Sequence, residues 1–378
     1  MKPIYYCCGL FLLVFLACNN RAVLPINVEY LVIPHASTLP ESTKFSSLLE
    51  EIRYIIPETN DKCLFSYIYK AYLDRERIFI LDKKNQDKIL VFDSNNGRFL
   101  MSIGTRGRAN NEYVSIGNFT LDKDRGRVLI LDETQNKVLV YDATSGDFKN
   151  QFELDFVARN IEYVDDNTLA YAGGGQHQER LCITDMDGSN MRSYVPSNDK
   201  NWILPLNSFS RGSGKEVVFR TYLSDSLYTV TPEGPLFSRF IDFGKDAFTW
   251  DEFNSYNRNE RDNIEEYLGK YRTNMKYYSE TNDHIWFIYS NKGVPECVVF
   301  DKTTSNAFNY SMFLHNDVVF DQFAPLIVAS DEGYFIGQND AFSIIENIEQ
   351  SRSGDIPEEL RNLTLYNNPV ITFLKFKK

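Results

Sequence analysis

Short apolar runs recur along this chain at a nearly fixed spacing. Phe79-Ile80-Leu81-Asp82 and Ile89-Leu90-Val91-Phe92-Asp93 return as Leu129-Ile130-Leu131-Asp132 and Val138-Leu139-Val140-Tyr141-Asp142, offset by 50 and 49 residues. Cys297-Val298-Val299-Phe300-Asp301 lies 159 residues beyond Val138, three periods of 53. A self-similar unit of about 50 residues, made of short strands and turns, is the signature of a β-propeller blade. The runs are apolar at consecutive positions and do not alternate, so both strand faces are expected to be buried. Inner strands held between neighbouring blades meet that requirement, whereas a lone sheet with one wet face does not. An aromatic content of 14% also favours strands over helical bundles.

Turn chemistry follows the same period. Asp93 and Gly97, and again Asp142 and Gly146, put a capping carboxylate where a turn begins and a glycine where φ turns positive. Blades are expected at 64–103, 116–153, 156–195, 203–241, 275–312 and 317–347, six in all. Residues 52–56 and 370–376 read as terminal strands, one of which closes the ring seam and so removes a free sheet edge. One segment, 245–274, breaks the period. There Ile264, Tyr267, Leu268 and Tyr271 follow helical spacing, so an amphipathic helix is expected between blades four and five. Its apolar stripe either packs on the propeller rim or docks a protein partner at 250–272.

The first residues carry an address. Lys2 precedes an apolar run from Ile4 to Ala17, which at about 1.5 Å per residue is too short to span a hydrocarbon core of about 30 Å. A basic start, a short apolar stretch and a small residue make a signal peptide. Phe15-Leu16-Ala17-Cys18 resembles a bacterial lipobox, which assigns residues 1–17 to the signal, Cys18 to lipidation and 18–44 to a tether. Of the six cysteines, Cys63, Cys182 and Cys297 then remain, too scattered for a disulfide framework and without a C-x-x-C pair for zinc. One bridge between two of them stays open in an oxidising periplasm. A net charge of −12 speaks against a nucleic-acid partner.

No compact catalytic motif is present. The four histidines form no H-E-x-x-H pair, and there is no G-x-S-x-G elbow. Asp122, Asp124 and Glu133 mimic a calcium loop, but Gly126 sits at its fifth position and a strand follows, so the segment is read as a turn.

The stretch from Arg77 to Leu154 resembles NHL-type propeller repeats, and residues 45–378 resemble the six-bladed β-propeller lipoproteins of Bacteroidales. Three landmarks carry the resemblance. The segment from Phe45 to Thr59 is similar to the family's opening strand. Ile103-Gly104 through Glu112-Tyr113 is similar to its glycine-rich inter-blade loop, with Ala109-Asn110 where Gly-Pro is usual. Asp225-Ser226-Leu227-Tyr228 and Asn368-Pro369-Val370-Ile371 resemble a blade turn and the closing strand. The resemblance implies an all-β, six-bladed propeller (NHL-like), and it implies a fold far more than a reaction.

In such propellers the loops entering each blade and those between its middle strands gather on one face. That face is expected to collect Arg106, Arg108, Asn110, Asn111, Gln176, His177, Arg220, Tyr222 and Asn291. Arginine forks, amides and an aromatic ring suit sugar hydroxyls, carboxylates or a peptide backbone. The leading expectation is a membrane-anchored, non-catalytic binding or scaffold lipoprotein, without a cofactor, that presents this face to a glycan, peptide or protein ligand. The second is a metal-dependent hydrolase or lyase, lactonase-like, with Ca²⁺ or another divalent ion in the channel. Asn19-Asn20-Arg21-Ala22 lacks the acidic run of surface-exported relatives, which points to the outer membrane with the protein facing the periplasm.

Overall fold

The repeat becomes six antiparallel sheets in a ring. The structure is a computed structural model and describes residues 28–34, 38–40, 42–84, 87–173, 179–196, 207–212, 214–221, 223–249, 268–350 and 356–378. Two N-terminal strands come first, β1 (Glu29–Val32) and β2 (Leu49–Ile55). Blade one is β3 (Lys70–Asp74), β4 (Arg77–Asp82), β5 (Lys88–Asp93) and β6 (Phe99–Ile103). Blade two is β7 (Ile116–Asp122), β8 (Arg127–Asp132), β9 (Lys137–Asp142) and β10 (Phe148–Glu153). Blade three is β11 (Asn160–Asp165), β12 (Thr168–Ala172), β13 (Glu179–Asp185) and β14 (Arg192–Pro196). Blade four is β15 (Phe209–Arg211), β16 (Val217–Arg220), β17 (Ser226–Thr231) and β18 (Gly234–Asp242). Blade five is β19 (Arg272–Glu280), β20 (His284–Asn291), β21 (Val294–Asp301) and β22 (Asn306–Ser311). Blade six is β23 (Leu326–Asp331), β24 (Tyr334–Asn339), β25 (Val370–Phe376) and the N-terminal β2. The inner strands β3, β7, β11, β15, β19 and β23 touch in succession, and β23 returns to β3.

The consecutive apolar runs serve two cores at once. Because strand side chains alternate in direction, Val128 and Ile130 of β8 pack toward blade one while Leu129 and Leu131 pack toward blade three. Leu139 and Tyr141 of β9 likewise face blade one, and Val138 and Val140 face blade three. Each pair of neighbouring blades encloses an apolar cluster of this kind, including one that joins blade six to blade one. The turns behave as their residues dictate. Asp93 accepts the Asn95 N–H at 2.8 Å and Asp142 accepts the Thr144 N–H at 2.8 Å. Gly97 and Gly146 take φ of +75° and +76°.

Two features differ from the expected layout, and one expectation lies outside the described residues. Blade six is not contained in 317–347: its second strand ends at Asn339 and its third is β25. The connection between them holds the ten-residue α1 (Ala341–Gln350) and the single-turn α2 (Glu358–Arg361). Asp340 caps α1 by accepting the N–H groups of Phe342 and Ser343, and Ile344 is fully buried beneath it, so an N-cap and helical spacing override strand propensity there. The helix expected at 245–274 falls mostly on 251–267, outside the described residues. Finally, both terminal strands meet in the same blade, where β2 pairs antiparallel with β25 from Leu49↔Phe376 to Ile55↔Ile371.

Ahead of β2 the chain forms a strap. Strand β1 adds to blade four parallel to β18, with Leu31 buried in the blade-four/five core and Tyr30 and Val32 exposed. The strap then crosses blade five, where the Thr38 N–H donates to the Asn309 carbonyl at 3.1 Å, and Phe45 buries against Tyr310 and Phe376. Cys63, Cys182 and Cys297 are unbridged.

A chain beginning at residue 57 lacks β2 and leaves the apolar edge of β25 open to other strands. We expect it to lose the cooperative thermal transition and to form concentration-dependent oligomers in light scattering. A monomer with the full-length transition would show that the seam closes without β2.

Candidate functional site

The propeller axis is lined by side chains of the inner strands. On β11, Ile161 and Tyr163 pack into the blade-two/three core, which turns Glu162 between them toward the axis. Its carboxylate is 1% exposed and gathers four other side chains. Lys70 of β3 lies 2.9 Å from Oε2 and Arg211 of β15 lies 2.9 Å from Oε1. The Tyr72 hydroxyl donates to Oε2 at 2.7 Å, and Thr120 of β7 donates to Oε1 at 2.9 Å. Burial would raise the Glu162 carboxyl, but the Lys70 and Arg211 charges overcome it and hold the group below the usual carboxylate range.

A second charged cluster joins blades four and five. Arg239 of β18 binds Glu280 of β19 at 3.0 Å, Glu216 at 3.1 Å and Glu29 of the strap at 3.1 Å. Lys302 also pairs with Glu280, and the Tyr278 hydroxyl donates to it at 2.9 Å. Asp331 of β23 ties blade six to blades one and two by accepting the Leu73 N–H at 2.9 Å and Lys123 at 2.8 Å. Among the described residues no three His, Cys, Asp or Glu side chains are grouped as a metal ion would need.

Beside the Glu162 cluster the inner strands border a cavity of about 40 Å³. Lys70, Tyr72, Glu162, Arg211, Arg220 and Tyr278 contribute to its wall. Arg220, expected on a loop, stands at the end of β16, is 2% exposed, and is pushed down to about 10 by burial.

Strand direction places the outer-to-inner connections and the second-to-third connections at one end of every blade. On that face Arg106, Arg108, Asn110 and Asn111 are exposed on the loop between β6 and β7. The loop is held by its own residues. Glu112 accepts the Ala109 N–H at 2.9 Å, with its carboxylate lying where a Cβ on Gly107 would fall, and Arg106 Nε donates to the Val114 carbonyl at 3.2 Å. Tyr113 is buried and its hydroxyl donates to the Asp87 carbonyl at 3.0 Å, which explains why a Glu-Tyr pair ends this loop. Asn291, at the β20–β21 hairpin, donates to Glu296 at 3.0 Å. Gln176, His177, Tyr222 and Cys18 lie outside the described residues.

The same face holds a groove that the sequence reading passed over. A depression of about 520 Å³ lies between the strap, the β22–β23 connection and α1, lined by Lys44, Ser46, Phe313, His315, Asn316, Asp317, Gln322 and Asn347 among others. Phe313 is 62% exposed and its ring stands 5.3 Å from that of Phe323. Part of the polar wall is fixed internally: Ser46 donates twice to Asp317, and Asn316 donates to the Phe323 carbonyl while accepting from the Val318 and Val319 N–H groups. Lys44, His315 and Gln322 are exposed. Asp321 separates this groove from a second, apolar depression of about 250 Å³ walled by Tyr67, Met312, Phe323 and Pro369. The exposed Phe313 beside His315 was the available signal.

The sequence profile of the domain of unknown function DUF4934 matches residues 31–375. The chain belongs to the DUF4934 family. Its propeller superposes with a TM-score of 0.77 on a Bacteroides fragilis protein described as exported, at 19% identity over 92% of this chain and 100% of that one. A DUF4221 family member from Bacteroides vulgatus superposes at 0.52, with 10% identity over 88% and 98% of the two chains. These similarities establish a shared six-bladed fold. No curated protein matches the sequence.

Two outcomes test the electrostatics of this DUF4934 chain. Glu162→Gln removes the charge shared by Lys70 and Arg211 and should cost about 3–5 kcal/mol in urea unfolding. A loss below about 1 kcal/mol, as for exposed pairs, would mean that the two cations are solvated. Asp225, between β16 and β17, is pushed up to about 7 by burial, with the Asp242 carboxylate adding to the effect. Its folded-state value exceeds the ordinary value of about 3.9, so the folded form holds the extra proton and stability falls as pH rises from about 4 to about 7. Asp225→Asn should therefore match the parent in thermal midpoint at about pH 4 and exceed it at about pH 8; equal midpoints at both would place Asp225 in water.

Proposed function

We propose that this protein is a non-catalytic recognition protein of the bacterial cell envelope, tethered through a lipid on Cys18, that holds a glycan in the groove of blades five and six. The observation that carries the reading is the groove itself. Its volume of about 520 Å³ falls in the range of roughly 300–1,000 Å³ typical of small-molecule sites. Phe313 offers an exposed ring face on which a sugar can stack, and His315, Gln322 and Lys44 stand beside it to meet hydroxyls. Since Asp317 and Asn316 are already held by hydrogen bonds, little ordering opposes binding.

The channel suits a divalent-ion hydrolase or lyase less well. Glu162 stands among the cations Lys70 and Arg211, and its two oxygens are occupied by four neighbouring side chains. A divalent cation would meet positive charge there.

A glycan array of short hexose and N-acetylhexosamine oligosaccharides, followed by titration calorimetry, tests the reading. One sugar class should bind the parent, and Phe313→Ala should weaken it about tenfold or more (about 1.4 kcal/mol) without moving the thermal midpoint. Binding that survives Phe313→Ala and His315→Ala unchanged would place the ligand elsewhere, and an array with no binding class would overturn glycan recognition.

A further inference from the structure

Tyr67, Met312, Phe323, Ala324, Leu326 and Pro369 line the depression of about 250 Å³ beside the groove. Several polar side chains also reach its wall, but each is engaged within the protein. The Tyr67 hydroxyl shares a hydrogen bond of 2.7 Å with that of Tyr277, and Gln338 accepts the Ile68 N–H at 2.8 Å. Asn339 donates to Asp321 at 2.9 Å, and Asp340 accepts the Phe342 N–H at 2.9 Å. The depression therefore offers a ligand mainly carbon surface, whose burial is favourable. An apolar cavity of about 150 Å³ is enough to hold benzene, so this depression admits a larger hydrocarbon group. Met312, an unbranched thioether, can follow the shape of what enters.

The two depressions share a border. Asp321 lines both of them. The ring of Phe313, exposed in the groove, stands 5.3 Å from that of Phe323, which walls the apolar side. A sugar stacked on Phe313 thus has carbon surface beside it. Charge decides what can link the two parts of a ligand. Burial lifts the Asp321 carboxyl above its ordinary range, against hydrogen bonds from Asn339 and the Gln322 and Phe323 N–H groups, and the Asp340 charge adds to the lift. Lys44 and Asp317, which also line the groove, are of opposite sign. A further negative charge at the border meets repulsion, which disfavours a fatty acid or a phosphate headgroup. A neutral link is favoured, because its hydroxyl or amide can donate to the Asp321 carboxylate.

We infer that the groove and the apolar depression form one amphiphilic site whose ligand is a neutral saccharide carrying a hydrocarbon group of about six carbons or more. The sugar stacks on Phe313, and the hydrocarbon lies against Met312, Phe323 and Pro369. The inference rests on the glycan reading of the groove and adds the second half of its ligand.

Titration calorimetry with methyl and hexyl β-D-glucosides and the matching N-acetyl-β-D-glucosaminides, each below its micelle concentration, tests it. With the headgroup that binds, the hexyl form should bind at least about tenfold tighter than the methyl form, since each buried methylene is worth about fourfold. Ser66 is exposed at the wall of the depression, so Ser66→Phe fills that space without entering the core. In this variant, with the thermal midpoint of the parent, the two tails should bind within about twofold of each other. Octanoate, the same kind of tail on a carboxylate, should bind at least about tenfold more weakly than the hexyl glycoside. Methyl and hexyl forms of equal affinity would overturn the inference and leave the glycan reading standing. A tail preference that Ser66→Phe does not reduce, or octanoate binding as tight as that of the hexyl glycoside, would overturn it as well. If neither headgroup binds with either tail, the glycan reading falls and this inference with it.

Discussion

Glu162 is one carboxylate on the propeller axis, and side chains from three other blades converge on it. Lys70 and Tyr72 come from blade one, Thr120 from blade two and Arg211 from blade four, while blade three supplies the glutamate. Isolated in an apolar interior, that charge would cost several kcal/mol; surrounded by two cations and two hydroxyls it is compensated. Ring closure and charge compensation are thus one event, because the partners meet only when the blades are in place. The Arg239–Glu280–Lys302 cluster does the same for blades four and five, and Asp331 links blade six to blades one and two. Polar bracing of the axis complements apolar packing between blades, so the ring is fixed both radially and around its circumference.

A braced axis has a consequence for function. With its middle occupied by hydrogen-bonded side chains, the channel leaves a cavity of about 40 Å³, and the larger depressions lie on the face. There the topology favours blade six. Its second and third strands are separated by the two helices, and the N-terminal strap passes beside them to reach the seam. The groove arises where these extra segments rise above a regular blade edge, which is why its walls come from residues as distant in sequence as Lys44, Phe313 and Asn347. The arginine-bearing loop between blades one and two, in contrast, spends its hydrogen bonds on its own backbone and on Glu112.

What could be read directly were features with a local cause. Val128 to Leu131 is apolar at every position because each strand faces two cores, and Asp142 with Gly146 specifies its turn through a side-chain cap and a positive φ. The terminal strands were legible for the same reason. The limits of blade six were not, since α1 replaces a strand after an ordinary hairpin and only Asp340 marks the change. Of the residues expected at the site, Arg220 borders the channel cavity as a buried strand residue, and Asn291 is held within its own hairpin. Glu162 gave a faint signal, a charge inside an otherwise apolar strand, but its partners lie 49 or more residues away around the ring, except Thr120, 42 residues off.

Periodicity and turn residues, which act over a few positions, were enough for the sequence alone to determine a ring of blades with strands buried on both faces. The choice of β2 as the strand that completes blade six, the meeting of Lys70, Glu162 and Arg211 on the axis, and the groove between strap and α1 were decided only by the tertiary structure. Each of these depends on where distant segments arrive once the ring closes, and the charge compensation at the axis exists only in that closed geometry.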